Sequence, residues 1–402
     1  MQNLTATATI TSTTRVQSID LLRGLAMIIM ALDHVRDFFH ADNFLYDPTD
    51  LSQSSAPLFF TRWITHFSAP VFMFLAGTSA FLAGEKKTKK QLAIFLLTRG
   101  LWLMLLEHTI VNFAWSFNPN FLFFRLAVIW ALGFCMIVLA ALIYLPKQLV
   151  LIIGLLILFT HNMLDDIHTA GNSLKDFLWA ELHERRRFII AGRVVATGYP
   201  VLAWIGIMSL GYCFGQLYKK GTDAAVRKKY LLIIGSAAII LFLLLRGLNM
   251  YGDKSPWILQ SSVVMTICSL LNTTKYPPSL LYTLMTLGPS ILFLAIAEKP
   301  LGWLGKKIIT IGRVPLFFYI LHLYLIHLLA IGAVVWSGRP WTDMIVTGNT
   351  NARDSPELAG YGFSLTIVYL VWIAVVLMLY PLCKWYDKYK SNHKEKWWLS
   401  YL

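Results

Sequence analysis

Long apolar runs, each closed by a short polar or charged stretch, recur along the whole chain. Most run to about 20 residues, long enough as a helix to cross about 30 Å of hydrocarbon. They predict spans at about 17–39, 61–83, 92–113, 121–145, 148–164, 198–217, 230–249, 279–297, 308–336 and 362–383. The predicted fold is therefore all-α, a polytopic membrane bundle of about ten transmembrane helices. The roughly ten-residue alternating segments of a membrane β-barrel do not occur. The apolar piece WILQSSVVMTICSLL at 257–271 is too short and polar to cross, and predicts a re-entrant or interfacial helix.

Composition agrees with the pattern. Hydrophobic residues make up 57% of the chain and charged residues 14%, whereas a soluble domain is nearer half apolar and a quarter charged. A net charge of +14 raises nucleic acid as a partner, but the basic residues sit in short loops beside the spans. That placement reads as topology, with lipid and not nucleic acid as the partner. The basic loops at 85–90, 218–230 and 298–307 and the basic tail all fall on one side. This predicts both termini cytoplasmic, in a multi-pass protein of the inner (plasma) membrane. HERRRF, with Arg185 to Arg187, falls in an outer loop of about 33 residues. It reads either as a solvated loop or as a basic patch for an anionic headgroup or glycan.

The Ser/Thr-rich start, MQNLTATATITSTT, has no cleavage-site pattern, so the first span is expected to act as its own anchor. The four cysteines, Cys135, Cys213, Cys268 and Cys383, stand singly, and no CxxC or Cys/His spacing occurs. Neither disulfides nor a metal are expected. No internal repeat or linker divides the chain, so residues 1–402 read as one domain.

Chemistry enters with RGLAMIIMALDH. Arg23 and His34 are 11 positions apart. At about 100° and 1.5 Å per residue they share a helix face, about 16 Å apart along the axis. Asp20 lies one turn before Arg23 and Asp37 one turn after His34, each on the same face. Ionisable groups inside a span usually face a protein interior or an aqueous path. Other spans carry more: Arg62 and His66, Glu107 and His108 with Asn112, Arg125, and His322 and His327 with Arg313 at the inner end. Grouped around His34 at outer depth, several of these would line a polar cavity. Arg23 and Arg313 at inner depth would suit a phosphate-bearing ligand.

RVQSIDLLRGLAMIIMALDHVRDFF, followed by FFTRWITHFSAPVFMFLAGTSAFL, resembles the catalytic domain of the heparan-α-glucosaminide N-acetyltransferase family, in particular its bacterial branch. The resemblance runs through about residues 14–240, with FRLAVIWALG and YPVLAWIGIMSLGYCFG, and 241–402 adds further transmembrane helices. The Arg-x10-His spacing is also similar to that of membrane enzymes that O-acetylate surface polysaccharides. The resemblance implies that acetyl-CoA enters from the cytoplasm and that a carbohydrate amine or hydroxyl on the far side accepts the acetyl group. It implies Arg23 and Arg313 on the CoA path, His34 as general base or acetyl carrier, and Asp37 or Asp33 orienting its ring. The heparan enzyme instead implies a histidine in the loop after the first span, which His40 offers, and His66 is a third candidate. Arg62, Glu107, His108 and Arg125 fall to the acceptor.

Two other classes compete. A proton-coupled transporter would use the same ionisable groups as a relay, but the inverted repeats that would favour it are not visible. A structural membrane protein, packed through small pairs such as Gly211 and Gly215, leaves the charges inside the spans without a role. GxGxxG, P-loop, HExxH and GxSxG motifs are all missing. The sequence leaves the acceptor's identity open, and likewise monomer or homodimer.

Overall fold

The computed structural model describes residues 16–298, 302–345, 356–396 and 398–399. The Ser/Thr-rich start and residues 299–301 of the basic loop at 298–307 lie outside the described residues. The described residues are 71% helical. It begins with α1 (Gln17–Phe39), α2 (Ala56–Thr65), α3 (Ser68–Gly84) and α4 (Lys89–Leu106). A π-helical turn, Glu107–Val111, carries α4 into α5 (Asn112–Ser116). There follow β1 (Phe123–Leu126), α6 (Val128–Leu142), α7 (Lys147–Thr160), α8 (Leu174–His183), β2 (Arg187–Ile190) and β3 (Arg193–Thr197). The remainder is helical: α9 (Leu202–Phe214), α10 (Ala224–Leu248), α11 (Val263–Leu271), α12 (Leu280–Ile296), α13 (Trp303–Arg313), α14 (Pro315–Trp336) and α15 (Leu365–Asn392).

Among the described residues, six helical segments are long and apolar enough to cross a membrane: Ala56–Gly84, Lys89–Ser116, Lys147–Leu164, Ala224–Leu248, Pro315–Trp336 and Leu365–Asn392. The other four expected spans also contain helices. α6, α9 and α12 are apolar but shorter, and α1 carries five charged residues from Asp20 to Asp37. Three expected spans change in outline. The segment at 308–336 breaks at Val314, because Pro315 offers no amide hydrogen and pushes its predecessor out of helical geometry. The segment at 121–145 opens as strand β1, and its helix starts only at Val128. Within 257–271, helix is confined to α11, capped by Ser262, whose hydroxyl accepts from the Met265 amide at 3.2 Å.

Helix α1 is the pivot of the bundle, packing against α2, α3, α12, α13, α14 and α15. Around it, α3 lies on α9, α4 on α6, α7 on α9, and α10 on α12. Glycines set the closest crossings. A Cβ on Gly24 would stand 2.1 Å from the Ile308 carbonyl oxygen, and one on Gly211 2.0 Å from that of Phe74. Only hydrogen fits at either point, which brings α1 onto α13 and α3 onto α9 backbone to backbone. Thr78 fastens the second crossing by donating to Gly211 O at 3.0 Å. Large apolar side chains of α4, α7, α10 and α15, among them Leu101, Leu156, Leu244 and Leu377, are exposed. Polar and charged groups of α1, such as Asp33 and Arg36, are buried. That inside-out distribution is what a lipid solvent selects.

The expected loop after α7 has structure of its own. β2 and β3 pair antiparallel, and β3 pairs parallel with β1, with Arg125 opposite Ala196. This small sheet hangs over the end of the bundle where α1 finishes.

Candidate active site

At the C-terminal end of α1 a polar cavity of about 360 Å³ opens among residues that are far apart in sequence. Asp33, His34, Arg36 and Asp37 enter it from α1, Arg62 and His66 from α2 and the turn after it. Arg125 arrives on β1, Arg185 from the run before β2, and Lys275 and Tyr276 from the loop ahead of α12. Five cations therefore face three carboxylates, those of Asp33, Asp37 and Asp47.

Most of the α1 charges are consumed within the wall. Asp33 is ion-paired with Arg36 at 2.9 Å, and accepts from the Thr65 hydroxyl at 2.9 Å and from Arg62 in a very short contact. Arg36 also donates to Asp37 at 2.6 Å. Such charge-assisted pairs, with each partner held by a second group, fix the end of α1 against α2. Tyr276 lies under the Arg185 guanidinium, 4.6 Å from ring centroid to Cζ, and its hydroxyl reaches Tyr199 at 3.2 Å. Burial opposes ionisation of this phenol, but Lys275, Arg62, Arg125 and Arg185 outweigh it and pull its pKa down to about 7.

The ring of His34 is held differently from the expectation. His34 Nδ1 and His322 Nε2 lie 2.7 Å apart, and His322 Nδ1 lies 3.0 Å from Phe318 O. A carbonyl oxygen can only accept, so in the neutral pair His322 carries its proton on Nδ1. Its Nε2 must then accept, and His34 Nδ1 donates. The proton of His34 is thereby placed on Nδ1, leaving the Nε2 lone pair available on a ring that lines the cavity. Trp115 sets the plane, edge-on with centroids 4.8 Å apart. Asp33 and Asp37, expected to orient this ring, are instead committed to Arg36, Arg62 and Thr65.

A second cavity of about 520 Å³ runs along the other half of α1. Its wall is mainly apolar, with Met27, Met30, Leu103, Leu132 and Met136. Four cations, Arg23, Arg99, Arg313 and Lys390, gather with Asp20 among its lining residues. Arg23 donates to Asp20 Oδ1 at 3.0 Å, Ser79 Oγ at 2.9 Å and Gly312 O at 3.3 Å, and Arg313 to Asp387 at 3.4 Å. Val128 and Tyr319 line both cavities, so the two abut. Met30, one helical turn before His34, lines the apolar side of that junction.

Other candidates are placed elsewhere. Glu107 lines neither of these cavities. Its Oε2 accepts from the amides of Ile129 at 2.9 Å and Trp130 at 3.1 Å, which seats a carboxylate on the N-terminus of α6. His108 packs on Trp130, centroids 5.0 Å apart, outside both cavities. His40 is buried beside Phe363 in a short bridge past the end of α1, and also lines neither cavity. His327 is tied between the carbonyls of Ala114 and Met344 at 2.8 and 3.0 Å. His66 remains in the polar cavity, its ring 5.5 Å from that of Tyr282.

The sequence model for the catalytic region of heparan-alpha-glucosaminide N-acetyltransferase matches residues 15–251, more than half of the chain. The matched region contains Arg23, His34, Arg62, Arg125 and Arg185, whereas Lys275, Tyr276, Arg313 and His322 follow it. No curated protein matches the chain.

Proposed function

Because the chain belongs to the heparan-alpha-glucosaminide N-acetyltransferase catalytic family and is a membrane acetyltransferase of that kind, we propose that it carries an acetyl group across the bilayer, from acetyl-CoA to a carbohydrate. In this reading residues 1–402 form one domain of ten spans in the inner membrane, with both termini cytoplasmic. The apolar cavity opens to the cytoplasm and the polar cavity to the far side. The observation that carries the proposal is the meeting of those two cavities beside His34, at Tyr319 and Val128.

Each cavity suits one substrate. The apolar wall accepts a pantetheine arm, and Arg23, Arg313, Arg99 and Lys390 offer charge to the nucleotide phosphates. The polar cavity offers Arg62, Arg125, Arg185 and Lys275 to a hydroxyl-rich acceptor, and its excess of cations favours a sugar that also bears acidic groups. His34 Nε2 takes the proton from the acceptor amine or hydroxyl as that atom attacks the thioester carbonyl. The C–S bond breaks, and the proton passes to the departing thiolate, so that CoA leaves as the thiol. The same lone pair could instead attack first and carry the acetyl group briefly, with water-free transfer to the acceptor following. His322 is a positioning residue in either route, because it selects the Nδ1–H form of His34.

The test is transfer of label from acetyl-labelled acetyl-CoA to glucosamine-containing oligosaccharides by the protein in vesicles, with donor and acceptor on opposite sides. Product that forms only with acetyl-CoA on the cytoplasmic face supports the proposal. Absence of acetyl-CoA binding from either face overturns it.

A further inference from the structure

At the end of α7 the chain tightens into a short turn, His161–Leu164, and passes to Asp165. There it meets His183, the last residue of α8. His183 Nε2 lies 2.9 Å from Asp165 Oδ1, and the rings of His161 and His183 are 5.6 Å apart at 72°. One ligand-type atom from each of the three residues lies within 4.8 Å of the other two. None of the three lines the polar or the apolar cavity.

The arrangement leaves nitrogen atoms without partners where partners are needed. His161 is only 1% exposed, and among the described residues neither of its ring nitrogens has a hydrogen-bond partner. His183 is 4% exposed and its Nδ1 is likewise unpartnered. A buried polar atom left unsatisfied forfeits its hydration without a replacement partner, which destabilises the fold. The His183–Asp165 hydrogen bond is made through Nε2 of His183 and relieves none of these three atoms, so His161 keeps a buried lone pair facing the pair.

We propose that His161, Asp165 and His183 form a binding site for a divalent transition-metal ion of the zinc class. Two imidazoles and one carboxylate are a zinc ligand set, with water completing a tetrahedron. The nitrogen ligands in a buried pocket disfavour Ca²⁺ and Mg²⁺, which take oxygen donors. Ligand atoms around tetrahedral zinc stand roughly 3.4 Å apart, from bonds of about 2.0–2.1 Å. Small side-chain shifts that open the 2.9 Å His183–Asp165 contact reach that geometry from the present spacing. Asp165 Oδ2 already accepts from Asn162 Nδ2 at 2.8 Å, the kind of outer contact that orients a metal-binding carboxylate.

The ion would have a positional effect. It ties α8 to the end of α7, and Arg185 follows His183 by two residues into the polar cavity. The site therefore fixes the point from which the small sheet and its arginine hang. Short-range spacing conceals it, because the third ligand comes from a separate helix. The proposal stands on these three residues and does not depend on the acetyltransferase reading.

Tag-free protein in detergent is stripped with a chelator, gel-filtered and titrated with Zn²⁺ alone, then with Co²⁺. The expected result is one retained zinc per chain, a rise in Tm on adding zinc, and the visible absorption of tetrahedral cobalt. Asp165→Asn and His161→Gln should each lose all three signals, while His168→Ala, at an exposed histidine nearby, should keep them. Asp165→Asn is the conservative variant, and its metal-free Tm and elution volume report whether it folds. A wild type that retains no zinc and shows no Tm shift overturns the site, as does undiminished binding in the Asp165→Asn and His161→Gln variants.

Discussion

Replacing His322 by alanine removes the contact that sets the tautomer of His34, and so isolates the proton placement from the rest of the site. His322 Nε2 accepts from His34 Nδ1 at 2.7 Å, and Phe318 O holds the other end of the relay at 3.0 Å. The bond is short and His322 is fully buried. Its loss leaves a buried donor unsatisfied, at about 1–3 kcal/mol. If that energy appears in the transition state, kcat falls by about 5- to 150-fold, at 1.36 kcal/mol per decade. The KM for acetyl-CoA should not move, because His322 lines neither cavity. His322→Gln should recover part of the loss, since its carbonyl oxygen can accept from Nδ1 of His34. The assay is initial-rate acetyl transfer from labelled acetyl-CoA at saturating acceptor, with folding checked by elution volume and Tm. An unchanged kcat in His322→Ala would refute the relay, and so would a glutamine variant no better than alanine.

Three further outcomes follow from the same geometry. Arg185→Ala, which removes a cation at the far wall of the polar cavity, should raise the acceptor KM about tenfold, one lost charge-assisted contact, and leave acetyl-CoA binding unchanged by calorimetry. Glu107→Ala strips the carboxylate from two α6 amides and should cost about 1–2 kcal/mol of stability in thermal melts, with KM values intact; an equal or larger effect on acetyl-CoA binding would contradict its placement as a helix cap. Tyr276, depressed to about 7, contributes stability that is complete above the ordinary phenol pKa near 10 and is lost as pH falls through about 7. Its ionisation also cancels one positive charge of the cavity, so the KM of an acidic acceptor should rise as pH climbs through about 7, and Tyr276→Phe should flatten that rise.

The helices were readable because lipid imposes a crude rule, an apolar run of fixed length, that needs no knowledge of neighbours. The shared face of Arg23 and His34 was readable for a similar reason, since 3.6-residue periodicity is local. What failed was partner choice. Glu107 sits at the outer depth expected of a cavity residue, yet its carboxylate turns to the amides of α6, a use that depends on where β1 ends. Asp33 and Asp37 have suitable spacing for His34 but stronger suitors in Arg36 and Arg62. Arg185 lies in a run that reads equally as a solvated loop or as a basic patch for an anionic headgroup or glycan. Its entry into the cavity depends on β3 pairing with β1 across about 70 residues, which no short window reveals. Lys275 and Tyr276 lay in TKYPPS, a stretch without chemical periodicity, and His322 gained its role only when α14 was set beside α1. The break at Pro315 had a visible signal in the proline itself.

The central claim is that His34 performs the transfer where the two cavities meet. The most direct measurement pairs wild type with His34→Ala, following binding of acetyl-labelled acetyl-CoA and loss of its label to acceptor. The account predicts saturable binding in both proteins and a rate lower by about 10²–10⁴-fold in the variant, the usual worth of a positioned acid–base group. Equal rates would contradict it and move the chemistry to His66, the other histidine in the polar cavity.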